Sequence, residues 1–327
     1  MDLLSRFFSR FLSASTLDPV SQAGLERVAG LVDKTLAFTP GFGARLAAPI
    51  KHAREFCARM VDTLPPPITV NRQSFANNPL VHALFASADD IGVMLATSVQ
   101  IRGYLAKPRL RQEDNFIALM AARRADKKVL GVALLGETIV TDVPQTLLQF
   151  SNQTIILPAE DSTLARAAFL EAAFDSLLLT FAGHLACARK AFSSLQVERE
   201  MERSRQRSKA VGTAFPERRI TALDERLQKK FQSLQPKVVI DELANFLMQP
   251  EQALSLDPVH LWVTRRGVIQ EGTAREIDAK MTCFMELKSR DRRRHIVLPV
   301  RVRYDGAREA LARAKESRAE REYMLLL

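Results

Sequence analysis

His184 and Cys187 stand three residues apart in a helical stretch, a spacing that sets both on one face and could supply half of a zinc site. Two further ligands would have to come from elsewhere. The other histidines, His52, His82, His260 and His295, are scattered, and Cys57 and Cys283 have no Cys or His at ligand spacing. A packed histidine beside a small apolar thiol is therefore the expected reading of the pair. Asp89 and Asp90 are adjacent and so diverge by about 100° on a helix, and Asp90 is better explained as a cap. Gly41-Phe42-Gly43 has no Walker lysine and no preceding strand, so it is no phosphate loop. A Gly-x-Ser-x-Gly elbow and the family-specific cysteine-nucleophile signatures are absent. No catalytic role, cofactor, metal or small-molecule substrate is expected from these residues.

The residues left with a chemical task are cationic. Residues 102–128 hold eight Lys or Arg against three acids, and residues 288–303 hold seven against Asp291 alone, so the net charge of +10 sits in these two stretches. Their candidate anion-binding residues are Arg123, Arg124, Lys127 and Lys128 in the first, and Arg290, Arg292, Arg293, Arg294, Arg301 and Arg303 in the second. Arg and Lys clustered this way can meet nucleic-acid phosphates, anionic lipid headgroups or an acidic protein. The plainer reading is solvation: charged turns and edges keep hairpins from pairing with other chains. Aromatic residues near both stretches are too few for base stacking, whereas a duplex backbone needs none. Arg290 and Arg294 share the R-x-x-x-R spacing of PilZ domains, which bind cyclic dinucleotides. No D-x-S-x-x-G stretch follows Arg294, and Asp142-Val143-Pro144 lacks the serine and the glycine, so the chain is not assigned to that family.

A second surface is suggested at the start of the chain. Leu3, Leu4, Phe7, Phe8, Phe11 and Leu12 recur at helical spacing, with Ser5, Arg6, Ser9 and Arg10 on the other face. Arg6 and Arg10 interrupt any secretory signal. This amphipathic stretch is expected to pack on the core, or else to lie on a membrane or partner surface; a transit peptide is the remaining reading. No run is long and apolar enough to span a bilayer. Three widely spaced cysteines fit a reducing, cytoplasmic setting, with peripheral membrane attachment as the variant.

The elements that would position these residues are read from period and punctuation. Asp18-Pro19 opens a helix to about Phe38, a second spans about Pro49 to Leu64, and Asn78-Pro79 starts another. Ser87 with Asp90 forms a capping box ahead of a helix to about Leu105. Phe116–Ala121, Val129–Leu135, Thr138–Thr141 and Thr146–Leu157 read as short antiparallel strands, with the charged residues between the first two as a turn. Residues 161–209 form a long helix whose stripe of Phe174, Leu177, Phe181, Leu185, Phe192 and Leu195 keeps coiled-coil spacing, with Ser176–Ala188 buried on more than one side. Residues 212–216 mark a domain boundary. Beyond it come a helix over about Ala222–Met248 broken at Pro236, a hairpin turning on Arg265-Arg266-Gly267, and a second hairpin. In its last strand Val300 and Val302 oppose Arg301 and Arg303, and Pro299 implies an edge.

The expected architecture is α+β: an amphipathic helix (1–17), a helical region with a small antiparallel sheet and a long central helix (18–213), and a smaller α+β unit (214–327). The expected function is a non-catalytic adaptor or regulatory protein that self-associates or binds a partner through the long helix. A nucleic-acid-binding protein using basic hairpins, and a peripheral membrane protein held by the first helix, are the alternatives.

Overall fold

The computed structural model describes residues 18–108, 114–135, 138–208, 215–270, 278–289 and 294–324. The amphipathic face from Leu3 to Leu12, and Arg290, Arg292 and Arg293, lie outside the described residues. In chain order the elements begin with helices α1 (Pro19–Leu31) and α2 (Phe42–Asp62), the short strand β1 (Ile68–Thr69), and helices α3 (Arg72–Asn77), α4 (Pro79–Leu84), α5 (Ala88–Thr97) and α6 (Val99–Leu105). Two long strands, β2 (Asn115–Leu135) and β3 (Thr138–Ala159), lead into helix α7 (Ser162–Ser208), then α8 (Phe215–Ser233) and α9 (Pro236–Leu247). Strands β4 (Leu254–Val263), β5 (Val268–Ile269), β6 (Lys280–Ser289) and β7 (Arg294–Arg303) follow, and helix α10 (Tyr304–Met324) comes last. The fold is α+β.

The chain forms two compact units that do not follow the expected order. Of the described residues, those within 18–58 and 172–253 form one unit and those within 59–171 and 254–324 the other. The expected break at residues 212–216 therefore falls within the first unit. Strands on both sides of it share one sheet.

In the first unit the long helix supplies the core. Phe174 and Leu177 are fully buried, and Phe181, Leu185 and Leu195 nearly so. Arg27 of α1 pairs with Asp175, the Arg54 guanidinium of α2 lies 5.4 Å from the Phe174 ring centre, and Phe181 meets Phe246 of α9 at 5.5 Å. Farther along, Leu195 clusters with Leu223 and Leu227 of α8, and half-buried Phe192 packs beside them. Helices α1 and α2 approach so closely that a β-carbon on Gly24 would stand 2.4 Å from the Ile50 side chain. The stripe is thus covered by the chain's own helices and is not the open association face its spacing suggested. Burial is one-sided: Leu179, His184 and Cys187 are exposed, contrary to the expectation of a helix enclosed on several sides.

In the second unit the sheet order is β1-β7-β2-β3-β5-β4-β6, and β6 also pairs with β7. Six strands from β7 round to β6 therefore close an antiparallel ring, with β1 added parallel on β7. Four expected short strands are really two long ones. Residues 123–128 do not form a turn because their side chains alternate, Arg124 and Asp126 to one face and Arg123 and Lys127 to the other. Closure needs the long hairpin to bend. Three register shifts between β2 and β3 coincide with three residues of positive φ on β3: Asp142 (59°), Asn152 (53°) and Leu157 (54°). Each is a bulge, which coils the ribbon. Leu157 is a costly occupant of that conformation, and the Gln100 side chain holds its amide at 2.6 Å.

The inner face carries Phe116, Ala118, Met120, Ile155, Phe284, Ile296, Leu298, Val300 and Val302, and helices α4, α5, α6 and α10 contribute Val81, Ile91, Ile101 and Ala307 to the same core. Tyr104 and Tyr304 share a hydrogen bond of 2.8 Å above Phe116. Pro299 pairs with Leu119 on one side, where β2 runs along β7 from His295 to Arg303. On the other side of β7, however, β6 pairs only as far as Ile296 and β1 starts at Val300. Pro299 falls between the two, where a missing N–H costs no ladder bond.

Candidate anion-binding site

The site is set by strand register. Strands β2 and β7 run antiparallel, with Arg123 opposite His295, and the β6–β7 hairpin pairs Lys288 with Arg294. Two basic stretches far apart in sequence thus meet at one end of the ring. Because neighbouring strands lie about 5 Å apart, the backbones of Arg123 and Arg294 are diagonal neighbours at this end. Arg294, in phase with Ile296, is turned to the inner side of the rim and Arg123 to the outer. The alternation of β2 separates its four cations. Arg123 and Lys127 lie on the outer face, Arg124 and Lys128 on the inner one, and only Arg124 of the four is substantially covered. Arg301 and Arg303 are exposed on the outer face too, but six or more residues along β7, roughly 20 Å away at 3.3 Å per residue. Arg303 is also paired with Asp305 at 2.5 Å. These two do not join the cluster.

The inner face at this end carries an ionic network that sequence reasoning missed. Arg124 donates two hydrogen bonds to Asp126, from Nε at 2.9 Å and from Nη2 at 2.8 Å. Its Nη1 stands 3.7 Å from Oε1 of Glu286 on β6, whose side chain is 4% exposed. Among the described residues that Oε1 accepts no hydrogen bond, so its stabilisation comes from the guanidinium charge. Lys288 donates to Asp257 on β4 at 3.0 Å, and Ser255 donates to the same carboxylate oxygen at 3.1 Å. A usable signal was present: in β6 the inward positions run Thr282, Phe284, Glu286, and an acid in that row calls for a cation on a neighbouring strand.

The network neutralises part of the cluster and leaves part available. Arg124 and Lys288 are engaged by acids, whereas among the described residues no ion pair involves Arg123, Lys127, Lys128 or Arg294. The Lys288 ammonium, with the Ser255 hydroxyl and against burial, holds the Asp257 carboxyl below its ordinary value of 3.8. A depressed carboxylate stabilises the fold fully above its unfolded value and ceases to do so as pH falls through the lower folded one. The stability difference between the wild type and Asp257→Asn should accordingly be constant above about pH 5 and shrink steadily below about pH 4. Urea unfolding across that range checks it; a difference that grows on acidification would contradict the pairing.

The remaining chemistry-bearing residues stay apart. His184 stands 6.3 Å from Phe246, edge to face, and Cys187 is exposed one turn on. Asp90 caps α5 in a capping box with Ser87. Among the described residues no three of His, Cys, Asp or Glu converge as metal ligands, and no helix is long and apolar enough to cross a membrane. Comparison with protein-family models, curated proteins and solved structures finds no match to this chain.

Proposed function

We propose that the protein is a non-catalytic binding protein that engages nucleic acid, duplex in particular, through the basic end of its strand ring. The observation that carries this reading is the register of Arg123 opposite His295 beside Arg294, which brings available cations from two distant stretches to one rim of the ring, on the adjoining strands β2 and β7. Clustered, unneutralised cations on rigid strands suit a regularly spaced phosphate backbone, which they position without reading sequence. Among the described residues of this end none is an exposed aromatic, and stacking on unpaired bases has no platform. The adaptor reading keeps its place only in altered form, because the helix stripe it relied on is core.

The test is fluorescence anisotropy of a labelled 20-base-pair duplex and of the matching single strand at low salt, with vesicles of anionic lipid as a parallel arm. The expected result is duplex binding that weakens by roughly tenfold or more in the variant Arg123→Ala, Lys127→Ala, Arg294→Ala. Binding to vesicles alone, or no duplex binding at low salt, would overturn the reading.

A further inference from the structure

The long hairpin outruns its ring. Pairing with β7 ends at Arg123, and β5 touches β3 only at Thr146 and Leu147. Beyond these points β2 and β3 continue as a ribbon of two strands, paired as far as Leu135 with Thr138. Such a ribbon is marginal in water by itself. It also exposes large apolar side chains: Leu130 is 69% exposed, Val132 52% and Ile139 70%. All three share one face, because Leu130 and Val132 alternate in phase and Ile139 is paired with the position two residues beyond Val132. The other face is partly closed by Gln145, whose side chain folds over Gly131 and donates to the Val132 carbonyl at 3.1 Å.

The ribbon's charges complement themselves. Lys128, exposed on the apolar face, stands on the ring side of the patch, and Asp142, exposed at a bulge, stands toward the tip. We propose that this face binds the same face of a second copy of the chain, the two ribbons antiparallel about a two-fold axis between Leu130 and Val132. Each Leu130 then packs on the partner subunit's Val132. The partner subunit's Asp142 lies about one strand repeat, ~7 Å, from Lys128, a distance its stem spans. A closed two-fold contact buries both apolar faces at once, satisfies both charges, and leaves no unmatched copy of the patch. It also supports the ribbon against the fraying expected of two strands alone. This dimer is independent of nucleic-acid binding, which rests on Arg123 and Lys127 of the outer face and on Arg294 at the rim of the ring.

Sedimentation velocity of the full chain tests it. The wild type should be dimeric and Leu130→Lys monomeric, with far-UV circular dichroism unchanged because the side chain is exposed. Lys128→Asp and Asp142→Lys should each weaken the dimer by roughly tenfold, and the two together should restore it, which no loss of folding would imitate. A monomeric wild type at the highest soluble concentration, a dimer indifferent to Leu130→Lys, or a charge exchange that fails to restore association would overturn the proposal. So would a monomer whose adsorption to anionic vesicles depends on Leu130, since the patch would then face lipid.

Discussion

Phe174→Ala is expected to lower stability by about 3–5 kcal/mol, the usual cost of removing a fully buried aromatic ring. The ring has no exposed surface and lies beneath the Arg54 guanidinium. Truncation would therefore leave a cavity between α2 and α7. Chemical denaturation followed by the far-UV helix signal checks the magnitude, read as the transition of the helical unit because a chain of two units need not unfold in one step. Sedimentation of the same variant should match the wild type. A variant of nearly native stability that has lost self-association would return the stripe to the role its spacing suggested, an interface between chains.

The second large effect is expected at the ring end. Arg124→Met should cost up to about 3–5 kcal/mol, because it leaves Glu286 charged and buried with only the more exposed Lys288 ammonium, 4.0 Å from Oε2, to balance it. Adding Glu286→Leu should recover most of that loss, since a buried ion pair replaced by apolar side chains of similar volume is often close to neutral. The comparison separates the pair from the helpful but more exposed Arg124–Asp126 contact, which both variants lack. A single variant costing under about 1 kcal/mol, or a double variant no more stable than the single, would show that Glu286 is not held by Arg124. Urea unfolding at neutral pH is sufficient for both measurements.

The parts of this fold that were legible in the sequence are those governed by local rules. Ser87 and Asp90 form their capping box, Gly267 takes the positive φ that the turn after Arg265-Arg266 requires, and Val300 and Val302 face the core while Arg301 and Arg303 face out. What was illegible depends on partners far along the chain. Nothing local indicates that strands on either side of α7 to α9 close one ring, and so the units were read as sequential. Arg123 to Lys128 resembles a turn because five charged residues in six usually are one; inside a ring whose inner rim carries Glu286 and Asp257 they become strand. Pro299 was read as an edge marker, and only the gap between two partial partners explains it. The long stripe was legible as an apolar face, but its spacing cannot say whether the covering helices come from the same chain.

The candidate site divides the same way. Residue types alone picked out the cations, and net charge placed them in two stretches. Their convergence came from register, which assigned Arg123, Lys127 and Arg294 to one end of the ring and Arg301 and Arg303 to another. The engaged members, Arg124 and Lys288, could be told from the available ones only once their acids were located. Duplex binding depends on those available cations meeting phosphates. Its most direct measurement is the affinity for duplex DNA as a function of salt, for the wild type and for the variant Arg123→Ala, Lys127→Ala, Arg294→Ala. Each lost phosphate contact reduces the slope of log K against log salt by about 0.9, so the three together should flatten it by roughly 2 to 3. A wild type that does not bind at low salt, or a slope the three substitutions leave unchanged, would contradict the account.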